Sequence, residues 1–158
     1  MKKLLLLLVF AFSYTLSAQT QDDITVIQNL YGHSKAEIIN EVMQLTEPKL
    51  SLFDKIYKDY ETERTNLGVK KLQIIENYGA NYLQLTDEKA DELATAALKN
   101  NLEYEKLYTK TYKKAKKVIG AKDAAKFIQL EVYFQTAIRA EIQDTIPFID
   151  ELNKTRKI

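Results

Sequence analysis

Apolar side chains recur along this chain at steps of three and four, the spacing of one face of an α-helix. Four such stripes are predicted. The first begins with Ile24, Ile27, Leu30 and Tyr31 behind Asp22 and Asp23, and resumes with Ile38, Val42 and Leu45. It predicts a helix over about 24–44, weakened at Gly32 and His33 because glycine costs about 1 kcal/mol relative to alanine in a helix interior. The second stripe runs Leu50, Phe53, Tyr57, Tyr60, Arg64, Leu67, Lys71, Ile75, Tyr78, Tyr82 and Leu85. It spans roughly 55–60 Å at 1.5 Å per residue. Its phase is kept across Gly68 and Gly79, which predicts one long helix. The third stripe carries Leu93, Ala97, Asn100, Tyr104, Leu107, Thr111, Ala115 and Val118, with acids at its start, lysines at its end and Gly120 as a stop. Both charge biases complement the helix dipole. The fourth, over about 122–143, carries Ala124, Phe127, Ile128, Phe134, Ile138 and Ile142. The apolar Ile146-Pro147-Phe148-Ile149 behind it is expected to fold back on the core.

The expected fold is all-α: four mostly antiparallel amphipathic helices, with the long second and third forming a hairpin. Short connections make neighbours antiparallel. Composition agrees, since 4 glycines and 2 prolines in 158 residues supply few of the turns that a strand-rich fold needs. The 19–150 stretch reads as a single domain. The last segment, 151–158, is polar and expected to fray.

Two stretches share a pattern: "QLTEPK" from Gln44 and "QLTDEK" from Gln84. Both read as helix starts. Leu45 and Leu85 pack ahead of the caps, and Thr46 and Thr86 offer cap hydroxyls to free first-turn amides. Glu47 and Asp87 favour the positive end of the dipole.

Charges interrupt the core stripes at three positions. Glu131 lies between Phe127 and Phe134, Arg64 between Tyr60 and Leu67, and Lys71 one heptad beyond Arg64. A buried charge without a partner costs several kcal/mol, so pairing is expected. Arg64 with Glu131 is the predicted core ion pair, with Arg139 as the second candidate partner. Such a carboxylate either grips a ligand or proton, or serves as a structural pair that fixes helix register.

The N-terminus changes the picture of where the chain works. Lys2 and Lys3 precede an apolar run from Leu4 to Phe12, and Ser17-Ala18 offers a small-residue cleavage site. Residues 1–18 therefore read as a signal peptide. There is no cysteine, so no lipidated cysteine follows it and no disulfide framework exists. The expectation is a secreted, periplasmic protein that is not a lipoprotein. Loss of Lys2 and Lys3 takes the 23 basic residues to 21 against 22 acidic, a balance with no general attraction to nucleic acid.

Candidate chemistry is sparse. One histidine, His33, and no cysteine leave no metal-ligand spacing. Neither a Gly-rich phosphate loop nor a nucleophile elbow occurs. No catalytic, cofactor or metal site is expected, and the chain reads as a non-enzyme. Lys113, Lys114, Lys116 and Lys117 form a basic patch suited to an anionic envelope surface or acidic partner, or simply a solvated helix end. Tyrosines at helix-neighbour spacing, such as Tyr78/Tyr82 and Tyr104/Tyr108, suit the edge of a core or a groove.

The Leu-Thr-x-x at Leu45-Thr46 and Leu85-Thr86 resembles the twice-occurring L-T-x-x-Q of the Spy/CpxP group of periplasmic helical proteins, with Lys49 and Lys89 in the Gln positions. The runs "LTDEKADEL", "AKDAAKFIQLE" and "AIRAEIQDTIPFI" are similar to a family of bacterial secreted all-helical proteins without an assigned activity. The Spy-like resemblance implies an ATP-independent chaperone or envelope-stress modulator, working as a dimer with unfolded or envelope proteins as partners. Stripes this long on so small a domain also point to a homodimer. The alternative expectation is a structural or adaptor protein docking a membrane partner, in peripheral contact with the envelope surface.

Overall fold

The computed structural model describes residues 34–150. These form four helices and no strand: α1 over Lys35–Met43, α2 over Lys49–Asn81, α3 over Asp87–Ile119 and α4 over Ala121–Thr145, with a 3₁₀ turn at Tyr82–Gln84. The all-α hairpin architecture is therefore present. α2 and α3 pair along their length, α4 packs back on α3, and α1 lies on α4. Side-chain contacts fix the antiparallel register. Lys110 reaches Glu63, Lys114 reaches Asp59, and Asn100 reaches the Leu67 carbonyl, so α3 descends as α2 climbs. Lys35 on Glu131 and Lys126 on the Val42 carbonyl make α1 antiparallel to α4.

α2 is unbroken across Gly68 and Gly79, as the constant phase of its stripe predicts. It ends at Asn81, four residues short of the apolar pattern. The Tyr82 amide bonds to the Gly79 carbonyl and tightens the chain into the 3₁₀ turn.

The first helix requires correction. Ser34 is extended and caps α1: its Oγ accepts from the Glu37 amide at 3.3 Å, while the Glu37 carboxylate accepts from the Ser34 amide at 2.7 Å. This capping box starts a helix at Lys35, so no single helix runs through to Gln44 from Ile24. The Ile24–His33 part of the expected helix, residues 1–18 and residues 151–158 all lie outside the described residues. The phase also shifts by one: Ile39 and Met43 are buried, and Val42 is exposed.

The two "QLT" starts diverge. Thr86 caps α3, accepting from the Lys89 amide at 3.3 Å. The Glu88 carboxyl is held below its usual range by its own backbone amide and by the Thr86 hydroxyl. Thr46 does not cap α2, which starts at Lys49 behind Pro48 with no side-chain cap. A hydroxyl at Thr46 would serve the amides of residues 48 and 49, and Pro48 has none. The Thr46 backbone carbonyl instead accepts from Leu50, and Glu47 binds the Ser51 hydroxyl.

A single residue, Gly120, joins α3 to α4. Its φ of 91° and ψ of 164° lie where side-chain-bearing residues are strained. That link brings the ends of α3 and α4 together, and the core gathers beside it. Phe127 sits among Phe53, Tyr57 and Tyr60, with edge-on ring centroids at 5.0, 6.0 and 5.5 Å. Ala115, Ile119, Ala124 and Phe134 complete it. Beyond Gly68, no described side chain of α2 is fully buried. The hairpin tip is therefore thinly covered.

Two pairs of substitutions test these local origins. Gly120→Ala should cost about 1–3 kcal/mol of stability. Gly79→Ala, in a helix interior with open space around the added methyl, should raise stability by about 0.5–1 kcal/mol. Thr86→Ala should cost about 1 kcal/mol, and Thr46→Ala should stay within about 0.5 kcal/mol of wild type. Urea denaturation of the four variants reads all of these.

Candidate functional site

Glu131 is wholly buried at 0% exposure, and α4 directs it toward α1 and α2. Lys35 Nζ, from the first turn of α1, donates to Glu131 Oε2 at 2.7 Å and to Glu61 Oε1 at 2.5 Å. The Tyr60 hydroxyl donates to the same Glu131 oxygen at 2.7 Å. Arg64 pairs with Glu61, with Nε at 3.2 Å from both carboxylate oxygens. The predicted direct pair between Arg64 and Glu131 is thus replaced by a relay, Arg64–Glu61–Lys35–Glu131. Both expected residues are buried, and an ammonium and a carboxylate stand between them. Arg139, the second candidate, is elsewhere, with its guanidinium carbon 5.4 Å from the centre of the Tyr104 ring.

Sequence reasoning missed Lys35. The signal was present: Ser34-Lys35-Ala36-Glu37 is a capping-box sequence. A helix starting there places Lys35, Ile39 and Met43, four apart, on one face. The lysine is caged by rings, with Nζ 5.4 Å from the centre of Tyr60, 5.9 Å from Phe134 and 6.0 Å from Tyr57. Rings at these distances attract a cation.

Burial shifts the acids and phenols of this cluster. It pushes the Glu131 carboxyl above its usual value, against the pull of Lys35. It also pushes Glu61 up, but the Lys35 and Arg64 charges and bonds outweigh it and hold that carboxyl low. The Tyr60 hydroxyl is raised by burial and by the Glu131 charge beside it. Among the described residues, two cations, Lys35 and Arg64, face two carboxylates, Glu61 and Glu131. That arrangement suits a structural tie that fixes the placement of α1, α2 and α4.

The open surfaces lie elsewhere. Past Leu67, the α2–α3 seam opens into a groove of about 400 Å³. Its floor is Leu67, Ile74, Leu93 and Ala96. Lys70, Lys99, Glu92 and Glu103 stand on its rims, with Gln73 and Asn77 among its polar groups. The Ile146–Ile149 tail returns to α2 through its backbone: Tyr78 donates to the Pro147 carbonyl at 3.0 Å and Tyr82 to the Phe148 carbonyl at 3.1 Å. Phe148 and Ile149 themselves stay 53% and 58% exposed.

The basic patch is an exposed face of α3. Lys114 lies 3.7 Å from Asp59, whereas Lys113, Lys116 and Lys117 have no carboxylate within 4.0 Å among the described residues. Leu45 packs at the edge of the core, and Leu85 is half-buried at the hairpin tip. Among the described residues, no group of three or more His, Asp or Glu side chains is placed to hold a metal ion. None of the described helices is long and apolar enough to cross a membrane. Comparison of the chain with protein-family models, curated proteins and solved structures gives no match.

Replacing Lys35 by methionine tests the relay through pH. The variant should lose about 3–5 kcal/mol at pH 7, because Glu131 is left as a buried charge with its cation removed. The loss should shrink on acidification. The folded carboxyl has a raised pKa, so the folded state takes up a proton before the unfolded chain does, and stability rises as pH falls through that value. Glu61 retains Arg64 as its cation in the variant. Urea denaturation at pH 7 and pH 5 reads the difference, and a loss independent of pH would contradict an ionised Glu131.

Proposed function

We propose that this protein is a non-enzymatic binding protein of the bacterial envelope, secreted through its N-terminal segment, that holds unfolded or partly folded protein chains. The role is that implied by the Spy/CpxP resemblance. The observation that carries it is the mixed groove along the α2–α3 seam. Its apolar floor takes hydrophobic side chains, and its amide-bearing and doubly charged rims take the polar groups of an extended chain. Such a surface holds many sequences weakly, since it combines scattered apolar contact with charges of both signs. No bond in the client is made or broken. A homodimer would extend the groove and add avidity.

A second reading is an adaptor that docks an acidic or anionic envelope partner. It is favoured by Lys113, Lys116 and Lys117, which are exposed without carboxylate neighbours among the described residues. Charge reversal at Lys113, Lys114, Lys116 and Lys117 that leaves envelope association unchanged would remove this reading.

The direct test of the first reading is suppression of client aggregation by the mature protein. Equimolar protein should delay aggregation of a reduced or heat-unfolded client. Ala96→Glu, which places a carboxylate on the groove floor, should abolish most of that delay while circular dichroism shows an unchanged helical fold. Absence of any delay with wild-type protein would sink the chaperone reading.

A further inference from the structure

We propose that a cationic pocket between α2, α3 and α4 binds the carboxylate of a medium-chain fatty acid, whose hydrocarbon tail occupies the adjoining apolar groove. The site is centred on Lys71 and Arg139 and borders the client groove, with which it shares Ile74, Leu93 and Asn100. The inference goes beyond client holding, and each stands or falls alone.

Lys71 of α2, Arg139 of α4 and Asn100 of α3 line a cavity of about 140 Å³, together with Ile74, Ile75 and Ile142. Arg139 Nε is buried without an acceptor. Among the described residues, neither Lys71 nor Arg139 has a carboxylate within 4.0 Å, in contrast to Lys35 and Arg64, the two cations of the Glu131 relay. Burial pushes the Lys71 ammonium below its usual pKa, and the Arg139 charge adds to the effect. Two cations that share a low-dielectric cavity destabilise the fold, and an anion between them removes that cost. The planar fork of an arginine and the point charge of a lysine match a carboxylate head. Asn100, 5% exposed, spends its Nδ2 on the Leu67 carbonyl at 2.9 Å. Its Oδ1 has no partner and is left to accept from a water carried with the head group.

The tail is defined by what adjoins. A groove of about 270 Å³ shares Ile74, Ile75, Ala97, Gln143 and Ile146 with the cationic pocket. It continues over Leu85 and Leu93 to Phe148. Together the two reach the roughly 300–1,000 Å³ typical of small-molecule sites. The walls are almost entirely apolar, and the Tyr78 hydroxyl is engaged by the Pro147 carbonyl. A peptide there would bury amides without partners. An alkyl chain brings none.

Isothermal titration calorimetry and thermal melting with decanoate, below its micelle concentration, test the proposal. Decanoate should bind and raise the Tm. Decanol and decyltrimethylammonium should bind at least about tenfold more weakly, as loss of a charge-assisted contact predicts. Arg139→Met and Lys71→Met should each lose the preference for decanoate over decanol and remain folded, since each relieves a like-charge contact. Decanol binding as tightly as decanoate would overturn the carboxylate site. Acetate binding as tightly as decanoate would overturn the tail groove, and no decanoate binding by wild type would overturn both, whatever the variants do.

Discussion

A carboxylate with no access to water must be met by donors, and much of this fold follows from meeting Glu131. Lys35 and Tyr60 supply those donors from two different helices. A nine-residue helix such as α1 has little stability of its own. Its place on α4 is set by Ile39 and Met43 in the core and by the reach of Lys35 to one oxygen. The same lysine recruits Glu61, and Glu61 recruits Arg64, so one buried charge organises side chains on three helices. Buried ionic groups of this kind are best understood as fixing register rather than adding net stability.

The bundle handles charge differently in two regions. Around Glu131, in the middle of α4, Lys35, Glu61, Arg64 and Glu131 pair with one another among packed aromatic rings. Toward the hairpin tip, Lys71 and Arg139 share a cavity without a counter-charge among the described residues, and the flanking apolar residues are only half-buried. Packing and electrostatic closure thus fail together at the same place. A well-packed, charge-paired region serves as scaffold, and an under-packed, positively charged end is where a second molecule has something to contribute.

Helix identity was legible because the apolar phase of α2, α3 and α4 is kept over about seven to nine turns. Gly120 as a stop and Thr86 as a cap were legible because each depends on the residue itself and its immediate neighbours. Thr46 misled because the same letters precede a proline that removes the amide a cap would serve. Lys35 was missed although it falls on the predicted stripe, four residues after Tyr31 and three before Ile38, because that stretch read as the weakened middle of one longer helix and not as a helix start. Arg64 and Glu131 were rightly seen as buried charges. Their partners depend on which third element lies between them, and periodicity along a single helix carries no information on that. The pocket around Lys71 and Arg139 was partly visible as a lysine on an apolar stripe, but its emptiness of acids is a property of three packed helices.

The one-residue link at Gly120 has a further consequence. It holds α3 and α4 together at their junction, on the side of the aromatic cluster, while the half-buried residues lie toward the hairpin tip. Segments with few buried side chains supply the low-energy, sub-global fluctuations of a native protein, and α2 beyond Gly68 has that character. The aromatic cluster around Phe127 opens only with the whole fold. Local opening therefore costs least at the tip and most at the cluster around Phe127.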